Sequence, residues 1–522
     1  MTFNLQNINL GLSFQEVVKK NSLQKAINFS PEYNSSYFEL NSKANQMARL
    51  LKDRGIRKSD VIAISGLKSI ETFVIIIACI KLGAIYSIFD NTSPLKRIKK
   101  IFEKCKPKLV FSEEGLLSEL KKIYDTNYID TNYDLINKYI VCYENVNLEE
   151  TKNITGNDPA YIMFTSGSTG IPKGVLISNQ SVLNFISWSL KTYKFDKNDN
   201  LTNLNPLYFD NSVFDIYSAL FSGSSLIPFT KEEVANPKTL INKVDNMKCT
   251  SWFSVPSLLI YLDIVKILNI NNMIYLKKII FGGEGYPKPK LKKIFDIYAN
   301  RINFFNVYGP TEGTCICSSY KISSFDFNNL EGFVPLGNLN ENFSYLILNE
   351  ENKSVEDSKT GELCISGPNI AIGYYNDLER TKQVFVQNPY NNEFSEIIYK
   401  TGDLVRYNSD EKNLYFVTRK DNQIKHMGYR IELDEIEHAL SLNNDILESA
   451  VVHLSLNGIS QIIAFIVKKE KSDMLFIEIK NNLKKNLPIY MIPNKGLFVE
   501  RLPKNANGKV DRKKLLNSYK NN

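Results

Sequence analysis

The chain has 522 residues, is 43% hydrophobic and 23% charged, and carries a formal net charge of +8. That length exceeds a single hydrophobic core, so two or more domains are expected, in an ordinary globular composition. The charge is small for the length, and no basic run is interleaved with aromatics, so nothing points to a nucleic-acid partner.

The seven cysteines (79, 105, 142, 249, 315, 317, 364) are scattered and odd in number, which suits free thiols in a reducing cytoplasmic setting. Cys315 and Cys317 form a C-x-C with no second Cys/His pair at zinc spacing. The three histidines leave few candidates for a Ser-His-Asp mechanism. The opening MTFNLQNINL has no basic segment followed by a continuous apolar run, so no signal peptide is expected. The most apolar stretch, Phe73–Phe89, contains Lys81 and Gly83 and is too short to span a membrane. It reads as a buried helix, a turn and a strand, with no membrane insertion.

Taken in order, residues 1–150 alternate two patterns. Ser42–Lys52 has helical spacing of Ala44, Met47, Leu50 and Leu51, Val61–Ser65 reads as a strand, and Glu71–Leu82 as a helix. Ile85–Phe89 is a strand, Arg97–Lys104 a helix entered through Pro94, and Leu109–Ser112 a strand. The alternation predicts α/β layers around a mostly parallel sheet. A helix is expected from Asn179 to Leu190 and another ending near Phe221. Short strands follow at Ser225–Pro228, Trp252–Pro256, Lys278–Phe281 and Asn303–Asn306. Ligands in such sheets sit at the carboxyl ends of strands.

From Leu336 to about Arg419 the pattern shortens and is punctuated by Gly361, Gly367, Gly373 and Gly402, which predicts a small β-rich subdomain. The last hundred residues read as a helix (Asp434–Leu442), two strands (Ala450–Leu454, Gln461–Val467) and a helix (Leu475–Leu487). Residues 494–522 are basic.

The stretch Tyr161–Gly174, YIMFTSGSTGIPKG, is the most informative. A strand-like run ends in Thr165, Ser166, Gly167, Ser168, Thr169 and Gly170, followed by Pro172 and Lys173. Small residues let a backbone approach a ligand, successive N–H groups form an anion-binding concavity, and Lys173 adds a point charge. That suits a polyphosphate, although no Gly-Lys-Ser/Thr closes the loop as in a P-loop.

Nine motifs in one order carry a resemblance that spans nearly the whole chain: CIKLGAIYSIFD (79–90), YIMFTSGSTGIPKGV (161–175), FDNSVFD (209–215), NVYGPTE (306–312), GELCISGPNIAIGYYND (361–377), YKTGDLV (399–405), RKDNQIKHMGYRIELDEIE (419–437), LPIYMIP (487–493) and NANGKVDR (505–512). The chain resembles the adenylate-forming superfamily, and within it the amino-acid-activating adenylation domains of nonribosomal peptide synthesis, whose relatives include D-alanine–carrier-protein ligases. The resemblance implies an α/β enzyme in two parts. Residues 1–420 would form a large N-terminal domain of layered α/β subdomains with the β-rich subdomain. Residues 421–522 would form a small, mobile α+β C-terminal domain, hinged near Asp421.

The implied reaction joins a carboxylate to ATP as an acyl adenylate with release of pyrophosphate, then passes the acyl group to a thiol. Lys509 would bridge the carboxylate and the α-phosphate, a role suited to a compact charge on a flexible stem. Glu312 would hold Mg2+, which prefers hard oxygen ligands. Thr165, Ser166, Gly167, Ser168, Thr169, Gly170 and Lys173 would hold phosphates, with Thr165 also counted as catalytic. Asn306 and Tyr308 would frame the adenine, with Gly282, Gly283 and Glu284 behind it and Gly309 and Thr311 beside it. Asp403, supported by Arg419, would accept from the ribose hydroxyls.

Asp210 selects the substrate class, because in amino-acid-activating relatives this position pairs with the α-ammonium. On its residues alone it could also be a helix N-cap. The pocket wall would be Asn211, Phe214, Phe253, Ile280, Gly282, Val307, Cys315 and Ile316. This lining is apolar enough for an aliphatic side chain, and such pockets discriminate single methylenes poorly. After adenylation the domain would rotate, withdrawing Lys509 and bringing Lys425–Tyr429 to a thiol tunnel.

The chain ends soon after NANGKVDR, so the expected acceptor is a separate, phosphopantetheinylated carrier protein, whose acidity the basic C-terminus would match. The alternatives are an acyl- or aryl-CoA synthetase of the same fold, which Asp210 opposes, or a D-alanine–carrier-protein ligase. Three positions depart from the usual motifs: Thr418 stands where Gly is common, Met427 where Arg is frequent, and Ile372 where a basic residue is common.

Overall fold

The computed structural model describes residues 9–456, 459–469, 472–505 and 509–521. Two large sheets organise the first part of the chain. The seven-stranded sheet runs Gly373–Tyr374, Lys173–Ser178, Pro159–Thr165, Ile85–Phe89, Val61–Ser65, Leu109–Ser112 and Asn127–Asp130. The last five of these are mutually parallel, and the first two add antiparallel at one edge. The eight-stranded sheet has a parallel centre that includes Asn200–Asn203, Ser251–Ser254, Lys278–Gly282 and Asn303–Tyr308.

Both faces of these sheets are covered, so neighbouring residues of one strand enter different cores. Ile62 and Ile64 join the central core between the sheets, while Val61 and Ala63 pack against Ile98, Ile101 and Phe102 on the outer face. In the second sheet Phe253 and Ile280 face the centre, and Trp252, Ile279 and Phe281 face outward. The helix Ile70–Leu82 lies in the middle. It is apolar all round, as a helix buried on every side must be. The Ser69 side chain caps it and Gly83, at φ 74°, ends it. Lys81 is fully buried within it; burial pushes its pKa down to about 7, and its ammonium donates to Asn147 Oδ1 at 3.1 Å.

The expected β-rich region is an antiparallel five-stranded sheet of Ser344–Leu348, Gly361–Ser366, Phe385–Gln387, Ile397–Asn408 and Asn413–Arg419. Beyond it come a two-stranded hairpin, Gln423–His426 with Tyr429–Glu432, and a three-stranded sheet of Ile446–Leu456, Ile459–Lys468 and Lys495–Phe498 flanked by helices. The fold is therefore α/β, with a large N-terminal part and a small α+β C-terminal part. Among the described residues, no helix is long and apolar enough to cross a membrane.

Three local expectations shift. The strand beginning near Trp252 stops at Ser254, because Pro256 opens the helix Pro256–Ile264. The helix expected over Leu475–Leu487 runs only from Phe476 to Leu483. The loop after Thr165 leads first into the strand Lys173–Ser178, so it is the turn of a β-hairpin with Thr165 opposite Lys173.

Lys68 ties the two sheets together. It follows the strand Val61–Ser65, and its ammonium donates to the carbonyls of Asn203 (2.7 Å) and Phe229 (2.8 Å) in the other sheet. Lys68→Met keeps the aliphatic stem and leaves both buried carbonyls without that donor. A loss of about 2 kcal/mol in urea-unfolding stability is expected, and an unchanged midpoint would show that Lys68 does not couple the sheets.

Candidate active site

The carboxyl ends of the parallel strands in both sheets converge on one region. The first sheet supplies Thr165 and the loop after it. The second supplies Gly282 at the end of one strand, with Gly283 just after it, and Val307 and Tyr308 from the next. Two cavities meet here. The inner one is lined by Thr165, Ser166, Asp210, Asn211, Phe253, Val307, Thr311, Cys315 and Ile316, with Lys425 and Arg430 from the C-terminal hairpin. The outer one, about 1160 Å³, is lined by Glu284, Asn306 and Tyr308 on one side and by the hairpin and the C-terminal sheet on the other. Gly283, Val307, Asp403, Arg419, Gln423 and Lys425 line both.

The loop is built to sit close to something. A Cβ on Gly167 would lie 2.1 Å from the Ile171 carbonyl oxygen, and Gly170 has φ 72°, so neither accepts a larger residue without strain. The Thr165 hydroxyl is buried with no hydrogen-bond partner, an orphaned group in a position that a ligand oxygen could satisfy. Ser168 and Thr169 are exposed, and Thr169 Oγ1 accepts from Arg380.

Glu312 is fully buried. Its carboxylate accepts from Arg430 Nη1 at 2.6 Å and from the Tyr374 hydroxyl at 2.7 Å. Burial alone would raise its pKa, but the charges of Arg430 and Lys173 overcome this and hold it down at about 2. Lys173 is itself pushed down by burial and by Arg430; its ammonium lies 3.3 Å from Glu432. The donor set fits a bound magnesium polyphosphate: a buried hard-oxygen carboxylate, a lysine and an unpartnered hydroxyl around a loop that admits only glycine at its tightest point.

Asp403 accepts from the Tyr308 hydroxyl at 2.6 Å and from Arg419 at 2.8 Å, and Arg419 also forks onto Asp421. Asn306 donates to the Pro335 carbonyl. Glu284 accepts from the amide of Ser257 and, across the cleft, from that of Gly428; burial raises its pKa.

Asp210 directly precedes the helix Asn211–Ser222 but makes no side-chain cap. Its carboxylate instead accepts from Thr311 Oγ1 at 2.6 Å and faces the inner cavity. Burial raises its pKa, against the Thr311 hydrogen bond and the charges of Arg430 and Lys425. Of the expected pocket wall, Asn211, Phe253, Val307, Cys315 and Ile316 line the cavity, whereas Phe214, Ile280 and Gly282 do not. Phe214 stands behind Phe253, edge to face at 4.8 Å. Ile280, the neighbour of Phe253 on the next strand, is fully buried. Gly282 is where the strand Asn303–Tyr308 comes closest: a Cβ there would meet the Val307 carbonyl at 2.5 Å. Gly309 plays the same part for the opposite wall, 2.3 Å from the Cys315 carbonyl by the same measure.

Lys509 is not brought to this site. It is exposed and lines neither cavity; its carbonyl accepts from the Asn505 amide, and its own amide donates to the Asn505 side-chain oxygen. Ala506, Asn507 and Gly508, the turn expected before it, lie outside the described residues. The hairpin Gln423–Glu432 fills the cleft instead, turning at Met427 (φ 52°) and Gly428 (φ 81°), the left-handed pair a two-residue hairpin requires. Lys425 stands 5.5 Å over the Tyr308 ring, and burial lowers its pKa. The other departures, Thr418 and Ile372, are exposed. Sequence reasoning missed Arg430, Glu432, Tyr374 and Tyr490 as site residues, although each lies inside a quoted motif.

Comparison with known proteins bears on the same residues. The model of the AMP-binding enzyme family matches residues 14–375, and that of the AMP-binding enzyme C-terminal domain matches residues 435–509. The chain belongs to the AMP-binding enzyme family. Bacitracin synthase 1 of Bacillus licheniformis is 34% identical over 96% of this chain, which corresponds to 9% of that protein. This chain thus spans about a tenth of the length of the synthetases it first matches. Zwittermicin A synthase ZmaJ of Bacillus cereus is 31% identical over 96% of this chain and 93% of its own length. Among solved structures, the Vibrio cholerae adenylation domain AlmE, in complex with glycyl-adenosine-5′-phosphate, superposes with a TM-score of 0.83 at 21% identity over 99% of this chain and 98% of that one. That likeness is one of fold. At the coarse level the activity of the family is adenylate formation, the activation of an amino or acyl carboxylate with ATP.

The raised pKa of Asp210 has a sign that can be tested. The carboxyl takes up a proton at higher pH than an ordinary aspartate, and the neutral acid no longer attracts a cation. KM for a cationic substrate group should therefore rise as pH falls, beginning at higher pH than an ordinary aspartate would give, and Asp210→Asn should flatten that profile. A wild-type profile as flat as that of the variant would remove Asp210 from the binding site.

Proposed function

We propose that the chain activates an aliphatic amino acid as its adenylate and transfers the aminoacyl group to the phosphopantetheine thiol of a carrier protein. The observation that carries this reading is Asp210: an uncapped carboxylate held by Thr311 between the phosphate-type loop and the apolar wall of Phe253, Val307 and Ile316. Burial outweighs the nearby charges of Arg430 and Lys425 at this carboxylate, and an α-ammonium would supply the direct ionic partner that offsets it.

In the first step a substrate carboxylate oxygen attacks the α-phosphorus of ATP, and the bond to pyrophosphate breaks. Both reactants are anionic, so the site must offset their repulsion and align them. Thr165, Ser166 and Lys173 hold the phosphates, and Asp403 with Tyr308 and Arg419 holds the ribose. Glu312 would hold magnesium, which when bound would supply positive charge to the phosphates. Lys509 enters after the C-terminal part rotates about Asp421, the boundary proposed between residues 1–420 and 421–522.

In the second step the thiol sulfur attacks the acyl carbon, the bond to AMP breaks and the thiol proton is lost. The hairpin-filled cleft suits this step: the outer cavity, lined by Glu284 and Met427 among others, offers the thiol a route toward the residues shared by both cavities. Domain rotation between two such arrangements is a hinge closure of ordinary kind.

Amino-acid-dependent ATP–pyrophosphate exchange tests the assignment. Lys509→Ala should lose about 100-fold or more of exchange with an unchanged unfolding curve. Asp210→Ala should raise the amino-acid KM far more than the ATP KM. Near-normal exchange by Lys509→Ala, or unaltered amino-acid KM in Asp210→Ala, would contradict it.

A further inference from the structure

Three groups that the proposed function gives to magnesium and the leaving phosphates are already engaged, and all by one short strand, Tyr429–Glu432. The Glu312 carboxylate holds the Arg430 guanidinium. The Lys173 ammonium faces the Glu432 carboxylate. The Ser166 hydroxyl donates to the Arg430 carbonyl at 2.7 Å and accepts from the Glu432 amide at 3.2 Å.

The charges correspond one for one. A cation stands at the carboxylate suited to Mg2+, and an anion stands at the lysine suited to phosphate. Arg430 and Glu432 are two apart on a strand, so they share a face, while Ile431 points back into the C-terminal core. Gln423 on the paired strand fixes their spacing: its carbonyl accepts from Arg430 Nε at 2.8 Å and its amide donates to Glu432 Oε1 at 2.6 Å. On the other side Tyr429 stacks on Tyr490 at 3.7 Å and meets Phe209 edge to face. A buried ion pair that only glued domains together would gain little over apolar packing; this one is aimed, by a dedicated glutamine, at the metal and phosphate groups.

We propose that the strand Tyr429–Glu432 is an internal stand-in for magnesium pyrophosphate, with Arg430 in the place of the cation at Glu312 and Glu432 in the place of the anion at Lys173. Docking of the hairpin and binding of magnesium pyrophosphate are then mutually exclusive. The thiol-transfer arrangement forms only after the metal and pyrophosphate have left, and both together drive the hairpin out. Arg430 and Glu432 are positioning residues: they select the arrangement and do not touch the reacting atoms. The inference rests on the phosphate and metal roles given above to Lys173, Ser166 and Glu312.

The test needs no turnover. Mg2+ with inorganic pyrophosphate is titrated calorimetrically into the full chain, as wild type, Arg430→Ala, Glu432→Gln and Arg430→Lys. Because binding to the wild type must first displace the strand, Arg430→Ala should bind about tenfold tighter or more. Glu432→Gln should also gain, and Arg430→Lys should return toward wild type. In parallel, spin labels at Leu23→Cys and Leu447→Cys, both exposed, in a Cys142→Ser background that removes the exposed thiol, report the separation of the two parts. Magnesium pyrophosphate should change that separation in the wild type, and Arg430→Ala should change it without ligand. Equal affinities in all variants, or bound ligand with unaltered label separation, would overturn the stand-in and leave the phosphate site standing. Failure of every variant to bind would overturn the phosphate site itself and the stand-in with it.

Discussion

The arrangement of the molecule turns on a buried carboxylate and the guanidinium that meets it. Glu312 is fully buried, and a charge withdrawn from water must be compensated. Compensation comes from Arg430, 118 positions away and on another part of the fold, with the Tyr374 hydroxyl completing the shell. The contacts around the cleft go with this pairing. With Arg430 there, the hairpin Gln423–Glu432 is docked, Lys425 lies over Tyr308, Gly428 hydrogen-bonds Glu284, and Lys509 is left in solvent.

A second buried contact braces the same arrangement. Arg97, from the helix after Pro94, pairs with Glu435 just beyond the hairpin, with both side chains withdrawn from solvent. The aromatic rings of Phe209, Tyr429 and Tyr490 fill the space beside the inner cavity. Ion pairs of this kind favour one geometry more than they add net stability. That is the property a chain needs if two arrangements of similar free energy are to alternate over a single set of strand ends.

Much of the fold was legible because burial on two faces leaves a periodic trace. Val61–Ser65, Ile85–Phe89 and Lys278–Phe281 are short apolar runs bounded by turns, and they are strands in parallel sheets. The glycine-rich loop announced itself by residue type, whereas Asp210 stood out only through the FDNSVFD motif and the resemblance it carries. What the sequence hid is what depends on long-range contact. The strand Lys173–Ser178 lies directly beside a loop whose glycines and proline mask it. Tyr374 and Arg430 are ordinary members of their motifs until the fold carries them to Glu312. Phe214, Ile280 and Gly282 were assigned to the pocket by motif, but the packing of Phe253 and Val307 sets them one layer back. The distance of Lys509 from the site is a property of domain arrangement, and no local pattern encodes it.

The central claim is that the inner cavity holds an amino acid at Asp210 while its carboxylate is adenylated. The most direct measurement is mass spectrometry of the nucleotide retained by the protein after incubation with ATP, Mg2+ and an equimolar mixture of the common amino acids, D-alanine, and fatty and aryl acids. The account predicts the adenylate of an aliphatic amino acid, absent from the Asp210→Ala protein. Retention of an acyl or aryl adenylate alone, undiminished by that substitution, would contradict it.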